Sequence, residues 1–479
     1  MLRRAGWAPY NTNCMNRRTF LASTALAATA APASRPNFLF LIADDLTFNG
    51  IQAMGGREVA TPNLDRLIRR GCGFTHCFHQ GSWTGAVCVA SRSMLNSGLT
   101  TFRAQKQFET TPLWGQTLGE AGYQTAIVGK WHLSKAALER SFHNSEAVFM
   151  GGMYESGPDA YNRPGPGNTW TPWDTSLKGQ WLHTQPFRKA QPDTIQHSAQ
   201  IWADAAAERL RDMAARPAPF FLYVGFTSPH DPRQAPKEFV DRYPADRVAV
   251  PANYLPEHPF DQGDAKVRDE LLAPFPRTRE AVQLHRAEYY AHITYLDHQA
   301  GRILDALEAS GKASNTYVIF TADHGLAVGQ HGLMGKQNMY DHSTRIPLIV
   351  AGPGVRAGRR VNAMVYQHSV FATTCELAGI AVPGTVEFPS LAPHLRASLR
   401  APVSESVFCW YRDFQRSVRT RDHKLIIYPQ AQRTQLFDLK KDPAEITDLS
   451  AEPRYAALKD SLKVLLKGHQ KGLGDPLVV

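Results

Sequence analysis

Four apolar runs in this chain each end in side chains able to do acid–base or metal chemistry. The run Arg35 to Ala43 leads into Asp44-Asp45, and the run from Tyr123 leads into Gly129-Lys130-Trp131-His132. The run from Pro219 leads into Thr227-Ser228-Pro229-His230, and that from Thr316 into Ala322-Asp323-His324-Gly325. Parallel strands of one sheet deliver their C-terminal ends to one edge, so the four ends are expected to converge on three Asp, three His and one Lys. Asp44, Asp45 and Asp323 are hard oxygen ligands for a divalent cation, and such a cation is the natural counter-charge for clustered carboxylates. Lys130, His132 and His230, with Arg92 and Lys336 from elsewhere, supply cations and proton donors for an anionic substrate. Together these residues read as machinery for hydrolysing an ester of a tetrahedral oxyanion.

The elements that must position them follow from the same runs. Arg35 to Ala43 is uninterrupted apolar sequence, as expected of a central parallel strand buried on both faces. A helix is expected next, with Thr61 as N-cap, Pro62 at its first position and Gly71 closing it. Further expectations are a helix from Leu113 to Gly122, a strand Tyr123 to Val128, a strand Pro219 to Phe226 and a long helix from about Arg277 to Ser310. Strands Thr316 to Thr321 and Ile346 to Ala351 complete the pattern. Strands alternating with helices make an α/β fold, a large, mostly parallel, doubly wound sheet flanked by helices, over residues 35–400. Residues 150–192 are rich in Gly, Pro, Trp and Asn without periodicity and read as an irregular insertion, whose Trp170, Trp173 and Trp181 could stack on a sugar ring. After Pro402, short strand-like runs (Ser406 to Trp410, Lys424 to Tyr428, Gln435 to Leu439) precede a helix near Tyr455 to Lys467. Residues 401–479 are therefore expected to form a small antiparallel sheet plus helix.

Composition narrows the reading. With 479 residues, 43% hydrophobic and 20% charged, the chain is of ordinary globular type. Its net charge of +10 invites a nucleic-acid reading, but residues 1–33 carry four arginines and no acid, leaving +6 for the rest. That leader has the layout of an export signal: Arg17-Arg18 before Phe20-Leu21, an apolar Ala/Thr-rich run, and the small-residue site Ala31-Pro32-Ala33. It resembles a twin-arginine signal, with Met15 as a candidate start, and implies a periplasmic or extracellular protein. The apolar run is too short to span a membrane, so no stable membrane insertion is expected. Five cysteines follow the leader, without zinc-site spacing and too few for a disulfide scaffold.

Cys88-Val89-Ala90-Ser91-Arg92 resembles the C-x-P-S-R signature of the type I, formylglycine-dependent sulfatases, and Gly129-Lys130-Trp131-His132 matches their second signature. Asp44-Asp45, Ser228-Pro229-His230, Asp323-His324-Gly325 and Gly335-Lys336 occur in the family's order, and Leu436-Phe437-Asp438-Leu439 with Asp442-Pro443 resembles its C-terminal hairpin. The chain is thus similar to the alkaline-phosphatase-like superfamily, and within it to bacterial sulfatases of the iduronate-2-sulfatase and choline-sulfatase type. Taken singly, an Asp-Asp after a strand is usually a turn or cap and a lone Cys at a helix start a small hydrophobe; the ordered co-occurrence is what is specific.

The resemblance implies a sulfuric ester hydrolase acting on a sulfated small molecule or carbohydrate. It implies that a formylglycine-generating maturase oxidises Cys88 to formylglycine, whose hydrate is the nucleophile. Asp44, Asp45, Asp323, His324 and the modified Cys88 would bind one divalent metal, Ca²⁺ by family usage. Arg92 and Lys130 would brace the hydrate, His230 and Lys336 would contact sulfate and protonate the leaving alcohol, and His132 would take a proton from the second hydroxyl so that sulfate is expelled. Two positions depart from the pattern. Ala90 stands where proline is usual, which bears on which maturase acts, and His324 stands where many members have Asn, leaving Mn²⁺ or Zn²⁺ open. Two alternatives stay open: a formylglycine-dependent phosphonate monoester hydrolase or phosphodiesterase, and a non-catalytic homologue that binds sulfated glycans. Nucleic acid is not an expected partner, and the oligomeric state is left open. His292, Asp297 and His298 are expected on the surface or in the packing of the long helix, while His331 and His342 flank the Lys336 loop without a settled role.

Overall fold

Continuous apolar sequence has to be covered on both faces, and the centre of the structure is built from three such segments. In this computed structural model, which describes residues 35–152 and 197–479 except 232, 234, 274, 397–403 and 478, the strands β1 (Asn37–Ala43), β6 (Phe220–Gly225) and β7 (Thr316–Ala322) are buried along their whole length. The signal leader and the three tryptophans of the insertion lie outside the described residues.

The remaining strands of the large sheet are β2 (Cys72–Phe78), β4 (Gln124–Lys130), β5 (Asn144–Phe149), β8 (Arg345–Ala351) and β9 (Arg359–Tyr366). Their order is β5-β4-β6-β1-β7-β8-β2-β9, and all are parallel except β8, which runs against both β7 and β2. The register aligns the strand ends: Ala43 pairs with Ala322, Ile42 with Gly225, and Gly225 with Gly129. One step further on, Asp44, Asp323 and Lys130 come together. Gly129 is required for this, because its φ is +83° and a Cβ there would lie 2.0 Å from the Gly225 carbonyl.

The long helix is Arg279–Ala309, as its pattern predicts. Asp297 on it is buried and caps the neighbouring helix Pro62–Arg70, accepting from Asn63 N at 3.1 Å and Leu64 N at 2.8 Å. The cap expected from Thr61 is therefore supplied from another element, while the Thr61 hydroxyl accepts from Gln52 N and donates to Asp65. His298 is exposed, and His292 is buried with its ring 5.3 Å from that of His197.

The second sheet has the order β13-β12-β11-β10-β3, with β10 (Ser406–Tyr411), β11 (Gln415–Thr420), β12 (His423–Tyr428) and β13 (Arg433–Asp438) antiparallel. Its fifth strand, β3 (Gly81–Ser82), comes from the segment just before Cys88 and pairs in parallel with β10. A buried ion cluster joins this sheet to the Lys336 loop: Asp341 accepts from Arg419 at 3.1 and 3.2 Å and lies 2.6 Å from Lys424, which also pairs with Glu445 at 2.6 Å. Among the described residues no helix is long and apolar enough to cross a membrane. Cys72, Cys77, Cys88, Cys375 and Cys409 are buried, and no disulfide occurs among the described residues.

His331 and His342 pack in a stack with Tyr340, the His331 ring 3.8 Å from it and nearly parallel, and so serve the seam between the sheets. Burial, with His258 as a lesser influence, lowers His331 to about 3; burial with His79 lowers His368 to about 3, and burial with His331 holds His342 well below its ordinary range. A folded-state pKa below the unfolded value of about 6.5 means that the unfolded chain binds more protons as pH falls, so this stability is complete above about pH 6.5 and is lost below it. The melting temperature is expected to fall as pH drops from 7 toward 4, with about 1.4 kcal/mol lost per pH unit for each such histidine. Calorimetric melting across this range checks it; a flat profile between pH 7 and 5 contradicts it.

Candidate active site

The site lies at the carboxyl edge of the large sheet. β1 delivers Asp44 and Asp45, β7 delivers Asp323 and His324, β4 delivers Lys130 and then His132, and the turn after β6 brings His230. Asp44 N donates to Ser228 O at 3.0 Å and Asp323 N to Ala43 O at 3.2 Å, so the sheet's bonding continues past the strand ends. Asp45 and His132 turn sharply away from their strands with φ of 69° and 59°, conformations that non-glycine residues rarely adopt and that accumulate at functional sites. Tyr289, which carries no sequence signal beyond its place on the long helix, holds the first turn: its hydroxyl donates to Asp45 O and accepts from Thr47 N at 3.1 Å.

Cys88 sits in the first turn of the helix Val87–Ser97. Ser91 on the same helix donates to Asp323 O at 2.6 Å, and fully buried Arg92 donates through Nε to Asp323 Oδ2 at 3.1 Å and through a terminal nitrogen to Lys130 O at 3.0 Å. Lys130 Nζ pairs with Asp44 Oδ2 and also donates to Gly152 O. Lys336 Nζ lies 2.9 and 3.1 Å from the two Asp45 oxygens and 3.1 Å from His230 Nε2. Cys88 Sγ is 3.2 Å from His132 Nδ1. All ten residues singled out from the sequence are thus gathered in one place. Cys88 itself is only 2% exposed, yet it lines the floor of a pocket of about 420 Å³ with His132, His230 and Lys336.

The electrostatics show a shortage of positive charge. Burial, opposed by Lys336 but reinforced by Asp44 and Asp323, pushes the Asp45 carboxyl well up. Against burial, Asp45 and Asp269 hold Lys336 protonated far above its ordinary range. Asp323 is likewise buried, but His324 and Arg92 hold it well below the usual carboxylate range. Burial and the nearby Lys130 lower His132 to about 3, and burial and Lys336 keep His230 well below its ordinary value, so both rings are neutral at neutral pH. His230 Nδ1 donates to Asp231 O at 2.7 Å, which leaves Nε2 as an acceptor for the Lys336 ammonium. Burial also raises Cys72 to about 11 and Cys375 and Cys409 to about 12, so these thiols are poor nucleophiles.

Three polar residues that sequence reasoning missed complete the pocket wall: Arg268 and Asp269, from a stretch with neither periodicity nor motif, and Gln337, next to Lys336. His331 and His342 do not line it.

This arrangement, an α/β sheet edge carrying clustered carboxylates, cations and one cysteine at a pocket floor, defines a hydrolase of oxyanion esters. Residues 36–380 match the sulfatase family and residues 329–472 match a region described as N-sulphoglucosamine sulphohydrolase, C-terminal. The chain belongs to the sulfatase family and is a sulfuric ester hydrolase. It is 25% identical to an N-acetylglucosamine-6-O-sulfatase of Bacteroides thetaiotaomicron, over 95% of this chain and 90% of that protein. It is 28% identical to a choline-sulfatase of Rhizobium meliloti, over 88% and 83%. A solved structure of a protein with its substrate D-glucosamine-2-N,6-O-disulfate shares the fold with a TM-score of 0.72 and 21% identity, covering 93% of this chain and 99% of that one. The phosphonate monoester hydrolase of Agrobacterium radiobacter shares it with a TM-score of 0.71 and 21% identity, covering 92% and 96%.

The family implies a divalent metal and a formylglycine, and the residues present fit a metal. Asp44 Oδ1 is buried without a hydrogen-bond partner, and His324 Nδ1 is turned to Gly325 O at 3.1 Å, which directs Nε2 among the carboxylates, 3.1 Å from Asp45 Oδ1 and 3.6 Å from Asp323 Oδ1, where a cation would take its lone pair together with theirs. Asp44, Cys88, Asp323 and His324 each offer a ligand atom within 4.8 Å of the others; Asp45 falls in a second, overlapping set with Asp44 and His230. Adding a divalent cation to chelator-treated protein should therefore raise the melting temperature, by about 2.7 kcal/mol of stabilisation at a hundredfold excess over Kd. His324→Ala should abolish most of that gain; an unchanged melting curve in the wild type on adding Ca²⁺, Mn²⁺ or Zn²⁺ contradicts the fit.

Proposed function

We infer that the protein hydrolyses the sulfate monoester of a sulfated carbohydrate. The observation that carries this is Cys88 Sγ at the pocket floor, 3.2 Å from a neutral His132 ring and grouped with the carboxylates and His324. Asp44, Asp45, Asp323, His324 and Cys88 are the proposed metal set, with Ca²⁺ as the ion and Mn²⁺ or Zn²⁺ as alternatives suited to imidazole. Such an ion supplies charge for the sulfate oxygens and a lower pKa for the attacking hydroxyl. Oxidised to formylglycine, Cys88 supplies as its hydrate one hydroxyl to attack sulfur and a second whose deprotonation releases sulfate and restores the aldehyde.

The chain's own residues perform the proton and charge work. His132, neutral and turned to the Cys88 side chain, accepts the proton of the second hydroxyl. Lys336 is protonated and donates to His230, so it is the acid available for the leaving alcohol, and His230 holds it toward the pocket. Arg92 and Lys130, each buried against a carboxylate, hold the oxygens of Asp323 and Asp44 in place, and Arg92 helps keep Asp323 ionised.

Carbohydrate is favoured by the similarity to an N-acetylglucosamine-6-O-sulfatase and by a pocket wall of Arg268, Asp269 and Gln337, polar groups matched to hydroxyls. A maturase must act on Cys88 despite Ala90, and since Arg92 is wholly enclosed, the chain before folding is its natural substrate. Export by twin-arginine translocation to the periplasm or beyond is proposed on residues 1–33 alone.

The competing reading is a phosphonate monoester hydrolase or phosphodiesterase, since one such enzyme shares the fold. Assay of a sulfate monoester and a phosphate diester of the same phenol separates them. A higher kcat/KM for the sulfate is expected; strong preference for the phosphodiester overturns the sulfatase reading.

A further inference from the structure

One wall of the pocket over Cys88 is made by residues 267–269, a segment outside every motif that places chemistry in this fold. Arg268 stands at the mouth with a third of its side chain exposed. Two buried carboxylates grip its guanidinium. One terminal nitrogen pairs with Asp231 Oδ2, and the other donates to Asp231 Oδ1 at 3.3 Å and to Asp269 Oδ1. Asp269 is fixed in turn, accepting from Gln337 Nε2 at 2.8 Å, while Gln337 also donates to Gly85 O at 2.9 Å and accepts from Lys336 N at 3.0 Å.

This arrangement has a chemical preference. The Arg268 charge is taken up by Asp231 and Asp269, so the guanidinium is not an open site for a second anion. Arg268 and Asp269 line the pocket side by side, an N–H donor group next to a carboxylate acceptor, which is the complement of adjacent hydroxyl groups, each both donor and acceptor. A planar fork already held in place loses little freedom when it binds. Asp269 Oδ2 is 3.8 Å from Lys336 Nζ, and Lys336 reaches His230 at 3.1 Å. The pair therefore borders the position where the ester oxygen leaves.

We propose that Arg268 and Asp269 are the specificity-determining contact for the leaving alcohol, binding ring hydroxyls of an otherwise neutral sugar next to the carbon that carries the sulfate. The proposal rests on the sulfate-ester reading above and deepens it by naming the groups that recognise the alcohol.

The test compares kcat/KM for a panel of monosulfated pyranosides with kcat/KM for 4-nitrophenyl sulfate, whose leaving group has no neighbouring hydroxyl. Wild type, Arg268→Lys and Arg268→Ala are measured, with melting temperatures. Arg268→Lys keeps a charge against Asp231 and Asp269 and so protects folding, but loses the fork. In both variants the ratio of sugar to aryl kcat/KM should fall about 10- to 100-fold, mainly through KM. An unchanged ratio in Arg268→Lys with wild-type melting overturns the proposal, as does a wild type that cleaves the aryl ester but none of the sugars. Absence of sulfate-ester turnover in formylglycine-bearing wild type contradicts the sulfatase reading, and the proposal with it.

Discussion

Asp44, Asp45 and Asp323 are fully buried beside one another, and the site is organised around offsetting their charge. Each carboxylate has a dedicated cation: Lys130 for Asp44, Lys336 for Asp45 and Arg92 for Asp323. Isolated buried ions are strongly destabilising unless paired and hydrogen-bonded, so these three pairs are conditions for the fold as much as for the chemistry. They are still not sufficient. Asp45 is pushed toward protonation, Lys336 is held protonated, Asp44 Oδ1 has no hydrogen-bond partner, and His324 Nε2 is crowded against Asp45 and Asp323. A cluster in that condition is matched by a divalent cation and an oxyanion, the two charges that a sulfate-ester hydrolase brings together.

The fold serves this cluster by register. Because β1, β4, β6 and β7 are parallel and aligned at their ends, one step past each strand is enough to bring the carboxylates and Lys130 into contact. Close approach at Gly129 and the left-handed turns at Asp45 and His132 then aim the side chains inward. The helix bearing Cys88 is tied to the same edge through Ser91 and Arg92, which fixes Cys88 relative to the carboxylates. The second sheet contributes from behind. It takes β3 from the segment that precedes Cys88 and locks the Lys336 loop through the Asp341 ion cluster.

Much of this is legible in the sequence because it is local. The apolar runs of β1, β6 and β7 and the polar residues just beyond them are contiguous, and all ten candidate site residues lie in short ordered motifs. What is not legible depends on partners far along the chain. β11 has the polar sequence Gln415–Thr420 because Arg416 and Arg419 find Asp475 and Asp341, so no period-2 apolar pattern marks it. Asp297 looks like a surface residue of a long helix until the helix Pro62–Arg70 docks its orphan amides on it. Tyr289, Arg268 and Asp269 join the site through tertiary placement alone. The reversed β8 is equally silent, since an apolar run carries no direction.

Whether this buried cluster serves a nucleophile made from Cys88 is decided by mass spectrometry of the peptide containing Cys88, taken from active protein purified from its native host. The expected mass is that of the aldehyde, or of its hydrate, in a fraction that rises with specific activity. An intact thiol throughout a preparation that turns over sulfate esters would contradict a nucleophile of that origin.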